Sequence, residues 1–148
     1  AYLLKLLGYS TTNYNAEFIH NLLPITIKPN KIIMNPPFSS GLKTSKNKTE
    51  YGFKHLYQAI YRLQTPGRLV CLLGESCMNH KSRWGIMHNL GIKILKNYTI
   101  DGKEFYKNGT SFGTQIIVIE KTKDKVDAGQ SMKILCSPEK YSTNQPVN

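Results

Sequence analysis

A chain of 148 residues, 40% of them hydrophobic, amounts to one domain, and no run approaches the ~20 apolar residues that a membrane span requires. The excess of 20 Lys and Arg over 9 Asp and Glu gives a net charge of +11. That favours a polyanionic partner, with nucleic acid first, although a Lys- and Asn-rich coding bias would give the same excess without a binding role.

Tyr2 to Leu7 has a short helical pattern with Gly8 as its stop. These first residues lack the basic flank and cleavage site of a secretory signal. Cys71, Cys77 and Cys136 fit neither a zinc spacing nor a disulfide framework, so no metal site, reduced thiols and a cytoplasmic chain are expected. Ser10–Asn15 is polar with β-prone Thr11, Thr12 and Tyr14, and reads as a strand. Leu22–Asn30 holds Pro24 and Pro29 and reads as the connection into a buried strand, Lys31–Met34.

Two prolines end that strand. Each lacks an N–H and fixes φ, and Pro36 also restrains Asn35 towards extended geometry. The result is a stiff corner at a strand's C-terminal end, the edge where open α/β sheets bind ligands. There the Asn35 amide and the Pro36 carbonyl can point at one ligand, with the Phe38 ring beside them. A side-chain and a main-chain carbonyl are matched acceptors for the two N–H donors of an exocyclic amino group, and an aromatic wall stacks on the ring that bears it. A turn after a strand would use the same prolines for shape alone.

Asn35-Pro36-Pro37-Phe38 resembles the catalytic motif of amino-methyltransferases that use S-adenosylmethionine, especially the adenine-N6 DNA methyltransferases. The same type of tetrapeptide occurs in guanine-N2 RNA methyltransferases and in release-factor glutamine methyltransferases. The resemblance implies a partial Rossmann-like class I α/β sheet, mostly parallel with an antiparallel C-terminal strand and helices on both faces. It also implies S-adenosylmethionine as cofactor, DNA (or RNA) as partner, and Asn35, Pro36, Pro37 and Phe38 as catalytic residues. Upstream of the motif, the family carries an acid and an aromatic that border the cofactor's adenine, and Glu17 and Phe18 match in type. For Glu17, an exposed loop carboxylate is an equal reading.

Ser39–Glu50 is polar and reads as a loop. Its Lys43, Lys46 and Lys48 either grip the phosphates of an extruded nucleotide or simply solubilise the loop. Phe53, Leu56, Tyr57, Ile60 and Leu63 mark a helix with one apolar face, with His55 off that face as a structural hydrogen-bonder. Thr65-Pro66-Gly67 is a turn, and Arg68–Gly74 a second buried strand. The unit is a βαβ crossover, which implies parallel pairing, and Ile32 to Glu75 is the part that most closely resembles the family. Asn79–Leu90 reads as a helix with Trp84 and Met87 inward, Ile92–Ile100 as a strand with one exposed face, and Gln115–Glu120 as the last clear strand. Phe105 or Phe112, in the turn between these strands, is expected either to face the substrate base or to pack. Residues 1–125 are expected to form an incomplete catalytic domain. Residues 126–148 then form a partly flexible extension with a weak strand at Lys133–Cys136 and a frayed tail from Ser142.

The family's Gly-rich cofactor turn and the acid ending its second strand have no counterpart here, since Gly8 is the sole glycine before Gly41. By resemblance the chain opens after the second strand, as a fragment, half of a split enzyme, or a decayed copy. Lys31–Met34 would then be an open sheet edge, unless Ser10–Asn15 pairs beside it. The alternative functions are a catalytically inactive nucleic-acid-binding module and guanine-N2 methylation of RNA.

Overall fold

In a computed structural model, residues 2–37, 50–100 and 113–141 are described. Phe38, Lys43, Lys46, Lys48, Phe105, Phe112 and the tail from Ser142 lie outside them. Helix α1 spans Tyr2–Leu6. The next stretch has no regular secondary structure where a strand was expected at Ser10–Asn15: among the described residues β1 (Lys31–Met34) pairs with β2 (Gly67–Gly74) and no other strand. The β-prone side chains there have no strand beside them to pair with, and β-propensity without a neighbour decides little. A single 3₁₀ turn, Ala16–Phe18, leads into α2 (Ile19–Leu22), with the Asn15 side chain accepting from the Glu17 N–H at the start.

β1 and β2 are parallel and joined through α3 (Glu50–Arg62), which is the expected crossover. Two further strands, β3 (Ile92–Ile100) and β4 (Thr114–Lys121), and a two-residue β5 (Glu139–Lys140) complete a five-stranded sheet in the order β1-β2-β4-β3-β5. β4 is antiparallel to both β2 and β3, whereas β5 is parallel to β3. Four strands therefore run one way and β4 the other, as the mixed α/β reading requires. Between β2 and β3 the chain forms a 3₁₀ segment, Glu75–Asn79, and then α4 (Lys81–Asn89). Gly91 ends α4 at φ +79, and a Cβ there would sit 2.4 Å from the Thr122 carbonyl oxygen, so only glycine fits.

One core fills the space between sheet and helices. Phe53, Leu56 and Ile60 of α3 and Trp84 and Met87 of α4 pack on Leu69, Cys71, Leu73, Ile117 and Ile119. Trp84 and Met87 point inward as the sequence indicated, and the Trp84 indole N–H donates to the Cys77 carbonyl at 2.9 Å. Burial pushes the Cys71 thiol up, and the Cys77 thiol up to about 12, so neither is a thiolate nucleophile at neutral pH. The opposite face, in register with Ile33, carries Val70, Leu72, Ile116 and Val118 only partly buried.

The weak strand expected at Lys133–Cys136 is instead helical, part of α5 (Ala128–Cys136), whose first turn is capped by the Asp127 carboxylate accepting from the Gln130 N–H. α5 docks on β3 through two buried polar side chains. Ser131 Oγ accepts the Ile94 N–H at 2.8 Å beside a bulge between Ile94 and Lys96, and lies 2.9 Å from His88 Nε2. The bulge shifts the inward phase of β3, so that Asn97 faces the helices and donates to the Leu135 carbonyl at 2.7 Å. Burial lowers the His88 pKa. An imidazole whose folded pKa lies below its unfolded value stabilises the fold above about pH 6.5, and that stability is lost as pH falls through this range, because the unfolded chain binds more protons. Urea unfolding should therefore show lower stability at pH 5.5 than at pH 7.5. Ser131→Ala, which strands the Ile94 N–H, should cost about 1–3 kcal/mol in the same measurement.

Candidate functional site

The proline corner stands where the sequence placed it. Asn35 follows directly on β1 and is exposed, Pro36 is buried and Pro37 exposed. Among the described residues neither the Asn35 side chain nor the Pro36 carbonyl takes part in a hydrogen bond. The exposed Asn35 amide is thus open to a ligand. Asn35 and Pro36 line one end of a cavity of about 320 Å³ whose wall runs along β1 from Pro29 through Ile32 and Met34. Ala16, Ile19 and Leu23 close it from the α2 side, and His55, Ala59 and Arg62 from α3. An apolar pocket with a few convergent polar groups is the usual form of a small-molecule site. This one is at the small end of the range, and suits a single ring system better than a whole nucleoside cofactor.

The segment proposed to border a cofactor is therefore next to the corner, but its own two candidates are not the residues that line the cavity. Phe18 is 50% exposed, and Glu17 lies 3.4 Å from Lys54 Nζ. Their neighbours Ala16 and Ile19 form the wall instead. His55, expected to be a structural hydrogen-bonder, makes no hydrogen bond among the described residues and lines the cavity. Burial lowers its pKa, with Glu17 opposing the shift, so the ring is neutral at pH 7 and can either donate or accept. Among the described residues no group of three His, Cys, Asp or Glu side chains could hold a metal.

What holds the 16–24 segment against α3 is a polar stripe of that helix that sequence reading missed. Lys54, Gln58 and Arg62 are spaced four apart and so share one side of the helix. Lys54 meets Glu17, and Gln58 Oε1 accepts the His20 N–H at 3.0 Å. Arg62 gathers the carbonyls at the end of α2: Nε donates to His20 O at 2.8 Å, and Nη2 donates to His20 O and to Leu23 O. Nη1 reaches Pro24 O at 3.3 Å. A cation at the C-terminus of a four-residue helix satisfies carbonyls that have no partner within the helix. The four-residue spacing was visible in the sequence, but it also describes any solvated helix face.

No family model matches the chain, and no curated protein is similar to it in sequence. Its fold does match solved structures. A modification subunit of a type I restriction enzyme from Vibrio vulnificus YJ016 superposes with a TM-score of 0.62 at 15% identity, covering 84% of this chain and 30% of that one. A chain from a structure of type I restriction–modification complex assembly and conformational transition gives 0.56 at 15% identity, over 80% and 26% respectively. The two share this fold, and the chain spans less than a third of the length of either.

Arg62→Met should loosen the 16–24 segment. We expect a stability loss of about 2 kcal/mol, the scale of charge-assisted hydrogen bonds, and faster limited proteolysis between His20 and Pro24. A variant that resists proteolysis like the parent would show that the segment is held elsewhere.

Proposed function

We propose that this chain carries the substrate-orienting corner of an S-adenosylmethionine-dependent methyltransferase that modifies the N6 amino group of adenine in DNA, working as part of a larger or split enzyme. The observation that carries the reading is that Asn35 and Pro36, whose side-chain amide and main-chain carbonyl take part in no hydrogen bond among the described residues, line a ring-sized cavity at the C-terminal end of β1. The shared fold of the two modification subunits supports it, as does the net charge of +11, which suits a DNA partner.

The chemistry this corner supports is orientation. Asn35 and Pro36 accept the two amino N–H bonds and so turn the nitrogen lone pair out of the ring plane. That lone pair forms the new N–C bond while the C–S bond breaks, and the surplus proton leaves to water. S-adenosylmethionine, when bound, supplies the electrophilic methyl group on its sulfonium. Ala16, Ile19 and the corner would form part of its site, and the cavity fits a portion of that molecule. Phe38 would stack on the flipped base, with Pro37 stiffening the corner. Lys43, Lys46 and Lys48 would hold backbone phosphates, and Phe105 or Phe112 would provide a second face to the base. Glu17 and Phe18 would border the cofactor after a local rearrangement, since Glu17 presently faces Lys54.

Positive charge alone also suits a catalytically inactive nucleic-acid-binding module. Calorimetry with S-adenosylmethionine, on the chain alone and with the polypeptide encoded next to it, separates the two: heat of binding in either sample is expected, and none in both would remove the enzyme reading. In the assembled enzyme, Asn35→Ala should slow transfer of labelled methyl groups to DNA by about 100-fold, the scale for losing one transition-state-orienting group. The exposed position of Asn35 predicts an unchanged melting temperature. Labelled RNA with unlabelled DNA would move the substrate to the other nucleic acid.

A further inference from the structure

A second cavity opens at the other end of β1. It holds about 670 Å³ and is lined by His20, Ile25, Lys28, Tyr61, Gln64 and Thr65, with Arg62 in its wall as in that of the first cavity. Lys28 precedes β1, and Gln64 and Thr65 precede β2. The Gln64 N–H donates to the Pro29 carbonyl at 2.9 Å and closes this corner of the sheet. The length of β1, about 13 Å at the usual rise per residue, separates the cavity from Asn35. Methyl transfer at that corner makes no use of it. Among the described residues no carboxylate lines it, and Lys28 makes no ion pair. The rings of His20 and Tyr61 meet with centroids 5.3 Å apart, yet Tyr61 stays 53% exposed, so its ring offers a stacking surface. His20 Nδ1 is buried without a hydrogen-bond partner among the described residues, an arrangement that costs stability until a ligand or water meets it. The Tyr61 hydroxyl and the Gln64 and Thr65 side chains also take part in no hydrogen bond there.

We propose that this cavity binds a phosphorylated nucleoside, with its phosphate on Lys28 and its base against the Tyr61 ring beside His20 Nδ1. The volume lies in the middle of the range for small-molecule sites. An inorganic anion would leave most of it empty, and an uncharged ring would leave Lys28 without a counter-charge. A cation, an aromatic face and spare hydrogen-bonding side chains in one concavity are the means by which proteins hold a single nucleotide. Arg62 is already committed to main-chain carbonyls, which leaves Lys28 as the cation that meets the phosphate. A free nucleotide and the phosphorylated end of a single strand present the same groups, and the test separates these two sources. The site goes beyond the methyltransferase reading and needs neither S-adenosylmethionine nor the Asn35 corner.

The test is calorimetry on the whole chain with adenosine, guanosine, cytidine and uridine 5′-monophosphates, with the parent nucleosides and with inorganic phosphate. At least one monophosphate should bind, about tenfold or more tighter than its nucleoside and than phosphate, the scale of one charge-assisted hydrogen bond. Lys28→Gln should weaken that monophosphate about tenfold, and Tyr61→Leu should weaken it too. Lys133→Gln, which removes the same charge from an exposed position on α5, should leave its affinity unchanged. In NMR spectra the His20 ring signals should shift on binding, and those of His55 in the first cavity should not. Four results would each overturn the proposal: no monophosphate binding at millimolar concentration, phosphate alone binding as tightly, equal weakening by Lys28→Gln and Lys133→Gln, or His55 signals moving in place of those of His20. Displacement of the bound monophosphate by a 5′-phosphorylated single-stranded oligonucleotide would identify a strand end as the ligand, and binding without displacement a free nucleotide. Monophosphate binding in a chain that never transfers methyl groups would sink the proposed function and leave this site standing.

Discussion

Arg62 is the contact through which the fold and the candidate site meet. Its guanidinium binds the carbonyls of His20, Leu23 and Pro24, and these belong to a segment with little else to fix it: α2 has four residues and buries none. A helix that short does not persist by itself. On its other side α3 is anchored by core packing and by Lys121, whose ammonium donates to Ile60 O and Leu63 O at the helix C-terminus. Burial lowers the Lys121 pKa, yet the carbonyls at the end of a helix are a favourable place for its charge. Two cations thus tie the same end of α3, one to the sheet and one to the 16–24 segment. The cavity is the space left between that segment, β1 and α3.

Sequence periodicity made β1, β2, β4 and the apolar face of α3 readable, because each buries a pattern that admits one register. β1 came out at the same four residues, Lys31–Met34. β3 was readable as a strand but not in its phase, since the bulge near Ile94 depends on Ser131, a residue 37 positions away. The helix α5 was missed for a related reason. Ile134 and Leu135 look like a short β-run, and the Asp127 cap that marks the helix start was overlooked among the surrounding charges. Ser10–Asn15 failed in the opposite direction, having strand-forming side chains but no strand beside it.

The site was legible to the extent that it is made of backbone geometry. Two prolines after an apolar run dictate a corner, and Asn35 and Pro36 stand in it. The cavity wall depends on tertiary placement, which is why Ala16 and Ile19 line it and the chemically more suggestive Glu17 and Phe18 do not. His55 was noticed, and its neutral ring in the cavity differs from the structural bond expected of it. Arg62 offered no local signal beyond a spacing shared with every amphipathic helix.

Among the described residues the polar groups lining this cavity, Asn35, His55 and Arg62, include no carboxylate. Arg62 is occupied by main-chain carbonyls, and the imidazole is held neutral by burial. Such a lining supplies no strong base, and a reaction that required one would have to find it outside this lining. Transfer to an aromatic amine has no such requirement, because the proton becomes acidic only after the new bond has begun to form. What the proposed reaction needs is a nitrogen held with its lone pair directed at the electrophile, and a pair of carbonyl oxygens at the Asn35–Pro36 corner, without hydrogen-bond partners among the described residues, would meet that need through position alone.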